Sequence, residues 1–153
     1  MATFTTRLKE LRNEEKMTQE ALGAVLGIGK STYQNYEQGI SGAPLHKLLQ
    51  LSDYLDVSLD YLSGNSDKRI PVHGRYDIIQ REPFSQRLRQ LRKAHKMTQK
   101  AVASQLGIIV RTYIKYEHGE ITPPLDRLLQ LAHLFDVPLD VLVGRTDVKA
   151  GKD

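Results

Sequence analysis

Thr18-Gln-Glu-Ala-Leu-Gly-Ala-Val-Leu-Gly-Ile-Gly-Lys-Ser-Thr-Tyr-Gln-Asn-Tyr-Glu-Gln-Gly39 is the stretch that decides how this 153-residue chain folds. Ala21, Leu22, Val25 and Leu26 recur at helical spacing, Thr18 is a good N-cap for them, and Gly27 closes the run. A second helix, predicted from Lys30 to Gln38, follows after two or three residues and stops at Gly39. The pattern returns at Thr98-Gln-Lys-Ala-Val-Ala-Ser-Gln-Leu-Gly-Ile-Ile-Val-Arg-Thr-Tyr-Ile-Lys-Tyr-Glu-His-Gly119. Displaced by 80 positions, residues 84–144 lie on 4–64 without a gap and are identical at 30 of 61 of them. The chain therefore holds two copies of one small unit.

Working outward, Phe4, Leu8 and Leu11 predict an amphipathic helix that ends near Asn13 to Lys16. Pro44 suits the first turn of a fourth helix with Leu48, Leu51 and Leu55 on one face, and Ser58 caps a short fifth running to Gly64. No segment alternates long enough to be a core strand. Two copies are too few for a solenoid, so each unit of about 60 residues must fold largely alone or against its twin. The expected organisation is a first domain over 1–65, a linker over 66–82, a second domain over 83–147 and a tail over 148–153. The linker carries Pro71, Gly74 and Pro83 around it, yet Ile70, Val72, Tyr76, Ile78 and Ile79 make it too apolar for a passive tether. Either a short hairpin about His73 and Gly74 or a strand laid on one domain fits that composition.

Forty per cent apolar content fits a globular chain, and the absence of cysteine excludes disulfides and thiolate metal sites. The N-terminal residues lack a signal-peptide pattern, and no run approaches the ~18 apolar residues of a membrane span. The expectation is a cytoplasmic protein without a membrane partner. Net charge is +4 and unevenly placed: residues 1–64 hold 6 Lys/Arg against 8 Asp/Glu, whereas 84–153 hold 12 against 7. Only the second half has an evident basic surface.

A helix, a glycine turn and a second helix form the helix-turn-helix layout, and the fine positions agree. Counting from Gln19, the fifth place is small (Gly23, Ala103), the ninth is the turn glycine (Gly27, Gly107), and the fifteenth and eighteenth are tyrosines aimed at the core (Tyr33, Tyr36, Tyr113, Tyr116). With Pro44-Leu45 and Asp56-Val57, repeated as Pro124-Leu125 and Asp136-Val137, the pattern resembles the phage repressor and Cro-like (XRE) helix-turn-helix family, twice over about four-fifths of the chain. The resemblance implies an all-α fold of two tandem five-helix lambda-repressor-like domains joined by a linker. It also implies a sequence-specific double-stranded DNA-binding transcriptional regulator, more readily a repressor, that occupies promoter DNA.

In such proteins the third helix enters the major groove and a Gln opening the second helix holds a phosphate. Carried over, Gln19 and Gln99 are the phosphate clamps. Lys30, Ser31, Gln34 and Asn35 of the first copy suit base edges: Lys donates to guanine, Asn or Gln pairs with adenine, and Ser adapts. Their counterparts Val110, Arg111, Ile114 and Lys115 depart from this, since Val and Ile suit thymine methyls or, equally, a protein partner. Arg12 with Glu37, and Arg92 with Glu117, are implied as structural ion pairs between the first and third helices. Arg87, Lys93, Lys96 and Lys100 are either phosphate contacts or a solvated face.

The five histidines show no metal or catalytic spacing, and no phosphate-binding glycine loop is present. No cofactor, small-molecule ligand or enzymatic role is expected. The partner is double-stranded DNA, read as two unlike half-sites by one chain; in the variant reading each chain of a homodimer contributes one DNA-reading domain while the other mediates dimerisation or partner binding, with Tyr61, Val141 and Val143 near the last helices as the apolar surface. The competing reading is a protein-binding adaptor or antitoxin-like module with weak DNA affinity.

Overall fold

The computed structural model describes residues 2–79 and 81–149. Among them are ten helices and one antiparallel ladder of two residues per strand, divided between two compact units, Met1–His73 and Gly74–Asp153. The all-α class and the tandem arrangement are thus those expected.

Unit 1 comprises α1 (Phe4–Glu14), α2 (Gln19–Val25), α3 (Lys30–Gln38), α4 (Leu45–Leu55) and α5 (Leu59–Leu62). Local chemistry sets these limits. Thr3 and Thr6 form a reciprocal capping box at the start of α1, and the side chains of Thr18 and Ser58 accept from the backbone N–H of Ala21 and Tyr61. Gly39, at φ 73°, ends α3 in the left-handed conformation that glycine adopts without a Cβ penalty. Gly23 is small because a Cβ there would lie 3.2 Å from the Ile28 carbonyl; Ala103 is tolerated at the matching place in the second copy. The helices close over Leu8, Leu11, Leu22, Tyr33, Leu48, Leu51, Val57 and Leu62, each at most 2% exposed. Truncating any of these leucines to alanine removes about 2–5 kcal/mol.

Unit 2 repeats the plan in α6 (Phe84–Ala94), α7 (Gln99–Leu106), α8 (Val110–Glu117), α9 (Leu125–Leu134) and α10 (Leu139–Leu142). It adds β1 (Tyr76–Asp77) and β2 (Thr146–Asp147), paired Tyr76 with Asp147 and Asp77 with Thr146. Arg75 braces the ladder through Asp147 at 3.0 Å. Gly144, at φ 105°, sits so close to Glu82 that an added Cβ would lie 1.8 Å from the Glu82 carbonyl, and the Glu82 N–H donates to the Gly144 carbonyl. Behind it, Asp140 and Arg145 form an ion pair of 2.6 Å with neither side chain exposed. The matching places in unit 1 are Asp60 and Asn65, joined by a 2.8 Å hydrogen bond.

Much of the 66–82 segment is folded chain rather than tether. Asp67 accepts from Arg7, the Ile70 carbonyl accepts from the Ser58 N–H, Val72 is fully buried, and the His73 N–H donates to Asp56, all in unit 1. From Arg75 onward the ladder and Glu82 belong to unit 2. Of the two forms expected for this segment, a strand laid on one domain is seen, as β1 paired with β2 of unit 2. The three apolar residues expected to present surface near the last helices are covered to different degrees. Val143 is buried, Val141 is half-buried, and the Tyr61 ring is half-buried with the Arg7 guanidinium 3.8 Å above it.

Candidate nucleic-acid interface

The α2–α3 pair is held to α1 by one buried ion pair. Arg12 donates from Nε to Glu37 Oε2 at 2.7 Å and from Nη2 to Oε1 at 3.1 Å, while Nη1 donates to the Met17 carbonyl at 2.9 Å. This fork geometry is the strong form of a charge-assisted contact, and it fixes the loop before α2 as well as α3. Burial is the largest single influence on the Glu37 carboxylate and works against its charge, but the hydrogen bond and charge of Arg12 together with the neighbouring Tyr33 and Gln19 donors outweigh it and hold its pKa below the ordinary carboxylate value. The Arg12 pKa is raised by the same bond. Tyr33, buried beside the pair, has its phenol pushed well above the usual range by burial and by Glu37.

From Glu37 the network reaches the surface. Gln19 Nε2 donates to Glu37 Oε1 at 3.4 Å, and Gln34 Nε2 donates to Gln19 Oε1 at 2.9 Å. One core ion pair thereby orients two candidate DNA-contacting amides, on α2 and on α3. Lys30 and Ser31 are exposed and Gln34 and Asn35 half-buried; i, i+4 spacing sets Lys30 beside Gln34 and Ser31 beside Asn35. Arg12, Thr18, Gln19, Glu20 and Lys30 line an open cleft of about 410 Å³.

Unit 2 reproduces the support but not the tip. Arg92 grips Glu117 with both Nε and Nη2, donates to the Met97 carbonyl at 3.0 Å, and Gln99 Nε2 donates to Glu117 Oε1 at 3.3 Å. Burial, the largest single influence, opposes ionisation of Glu117, and the hydrogen bond and charge of Arg92 together with the Tyr113 and Gln99 donors reverse it, so this pKa is also lowered. The chain of amides ends there, because Ile114 replaces Gln34. Val110, Arg111 and Lys115 are exposed and Ile114 half-buried. Neither Gly29 nor Ile109 offers a side-chain cap to its helix.

Three features escape sequence reasoning. Arg87 is committed internally, donating to Glu82 at 2.7 Å and to the Val141 carbonyl at 2.9 Å; Arg7 does the same for the Tyr61 carbonyl at 3.0 Å. The recurrence of this arginine was the available signal, but its acceptor is a backbone atom. The Gln19–Gln34 bond spans 15 residues and needs the helix crossing to be known. The Asp140–Arg145 pair has no acid–base counterpart in unit 1. Lys93, Lys96 and Lys100 remain exposed.

A twice-repeated helix-turn-helix with a core-braced glutamine at the start of its second helix defines a class. The helix-turn-helix family profile matches residues 8–62 and 88–142, and the chain belongs to that family, in its phage-repressor and Cro-like (XRE) form. It is 50% identical over 64 residues to the uncharacterized HTH-type transcriptional regulator YobD of Bacillus subtilis (strain 168), covering 42% of this chain and 57% of that protein. It is 38% identical over 62 residues to the cryptic phage CTXphi transcriptional repressor RstR of Vibrio cholerae, covering 40% of this chain and 55% of that one. The chain thus spans little more than half the length of these relatives. A solved transcriptional regulator from Listeria innocua is 34% identical at a TM-score of 0.40, covering 42% of this chain and 60% of its own. No helix among the described residues is long and apolar enough to cross a membrane.

Proposed function

We propose that this chain is a sequence-specific double-stranded DNA-binding regulator of transcription that represses by occupying promoter DNA, with α3 and α8 as its recognition helices. The observation that carries the reading is the Arg12–Glu37–Gln19–Gln34 network, which stiffens amides on the two helices that would meet phosphate and base. A flexible amide must be ordered on binding, whereas one held in advance avoids that entropic cost. Gln19 and Gln99 are then the phosphate clamps. Lys30, Ser31, Gln34 and Asn35 read polar base edges, while Val110 and Ile114 meet thymine methyls beside Arg111 and Lys115.

One chain carries two unlike readers, so an asymmetric operator of two half-sites follows. Occupancy of one half-site raises the local concentration of the other unit, tightening binding without new contacts. The test is fluorescence anisotropy of the full chain on duplex DNA over a salt series. The expected result is a linear fall of log K with log salt, about 0.9 per neutralised phosphate. Salt-insensitive binding contradicts the reading.

A second reading has its own support. Ile109 is 69% exposed and Val110 40%, apolar surface on a helix tip that suits a protein partner as well as thymine. Under it, this chain is an adaptor or antitoxin-like module, and pull-down with a defined partner outcompetes weak duplex binding.

A further inference from the structure

The two units present the same exposed positions along their first and second helices with opposite electrostatics. Glu10, Glu14, Glu15 and Glu20 of unit 1 stand where unit 2 has Gln90, Ala94, His95 and Lys100, and Lys93 replaces Asn13; all are exposed. Arg69 answers Glu14 at 2.7 Å, but Glu20 lines the cleft beside Gln19 and Lys30. Arg12, on the same cleft, is already committed to Glu37. Lys30 and Glu20 therefore face that space with opposed charges. In unit 2 the matching places hold Lys100 for Glu20 and Val110 for Lys30, so α7 gains a cation there while α8 carries its own at Arg111 and Lys115.

We propose that the units engage DNA on different terms. Unit 2, through Lys93 and Lys100, adds a sequence-independent hold on the phosphate backbone to the base contacts of α8. In unit 1, Glu20 repels the phosphate approaching Gln19, so that unit stays bound only where Lys30, Gln34 and Asn35 meet matching bases. A repulsive element that penalises wrong partners is a recognised route to specificity, and rim charges act chiefly through salt-dependent encounter. Glu20 is thus a specificity-determining residue and Lys100 its anchoring counterpart. The inference rests on the DNA-binding reading above.

The test reverses each charge in the full chain, Glu20→Lys and Lys100→Glu, and measures affinity for a random duplex and for a duplex selected by the wild-type chain across salt. Both sites are exposed helix positions, and unchanged thermal melts verify folding. For Glu20→Lys, the salt slope steepens by about one unit, the random duplex gains roughly tenfold at low salt, and discrimination narrows. For Lys100→Glu, the slope flattens by about one unit on both duplexes with discrimination kept. Wild-type slopes and ratios in both variants, on a chain whose own binding is steeply salt-dependent, overturn the inference and leave the regulator reading intact. A wild-type chain without salt-dependent duplex binding removes both.

Discussion

At the residue scale, the fold and the candidate interface share one charge pair per unit. The side chains of Glu37 and Glu117 are 4% and 0% exposed, and each is gripped by the arginine of the preceding α1 or α6. Their folded pKa values lie below the ordinary 4.5, so the stability they contribute is complete above that value and is lost as pH falls through the folded pKa. Acid unfolding with its onset below about pH 4.5 is the expected outcome. Glu37→Gln strands a largely buried arginine, and a loss of about 3–5 kcal/mol at neutral pH is expected, with a flatter acid limb than wild type. Urea titrations at several pH values check both; a variant that keeps the wild-type acid slope contradicts the assignment. The arginine and glutamate were legible in the sequence because both recur at the same separation. Their extension to Gln34 was not, because an amide bond across two helices leaves no spacing signal.

At the element scale, helix limits followed from end chemistry more than from propensity. The α3 bounds, Lys30–Gln38, are those expected, because Gly39 can take φ 73° and stop the helix at once. The inward aim of Tyr33 and Tyr36 was equally legible from their i, i+3 spacing, and both are buried. The β1–β2 ladder was not legible. Two residues per strand, about 70 apart in the chain, carry no periodicity. Burial of Val143 escaped for a related reason: it lies just beyond the last helix, where no helical periodicity marks it as inward-facing. The bare N-terminus of α8 leads to a prediction. Ile109→Ser supplies the missing cap and is expected to stabilise unit 2 by about 0.5–2 kcal/mol, read as a raised denaturation midpoint with unchanged m-value. A lower midpoint would mean that Ile109 packs in the fold despite its 69% exposure.

At the scale of the whole molecule, the sequence holds one architecture twice with two different surfaces. Identity between the copies is concentrated in cores, caps and the Arg–Glu pair, whereas the outward positions of α3 and α8 have no residue in common except Thr32 and Thr112. Selection for a fold keeps the former, and the proposed reading of unlike half-sites accounts for divergence of the latter. The linker expectation needed the structure, because Val72 and Tyr76 disclose burial without disclosing which unit buries them. The most direct test of the central claim is selection of random duplex DNA by the full chain at near-physiological salt, followed by sequencing of the enriched sites. Two unlike half-sites, the one read by α8 rich in A·T, are the predicted result; a palindrome of identical half-sites, or no enrichment at all, would contradict the account.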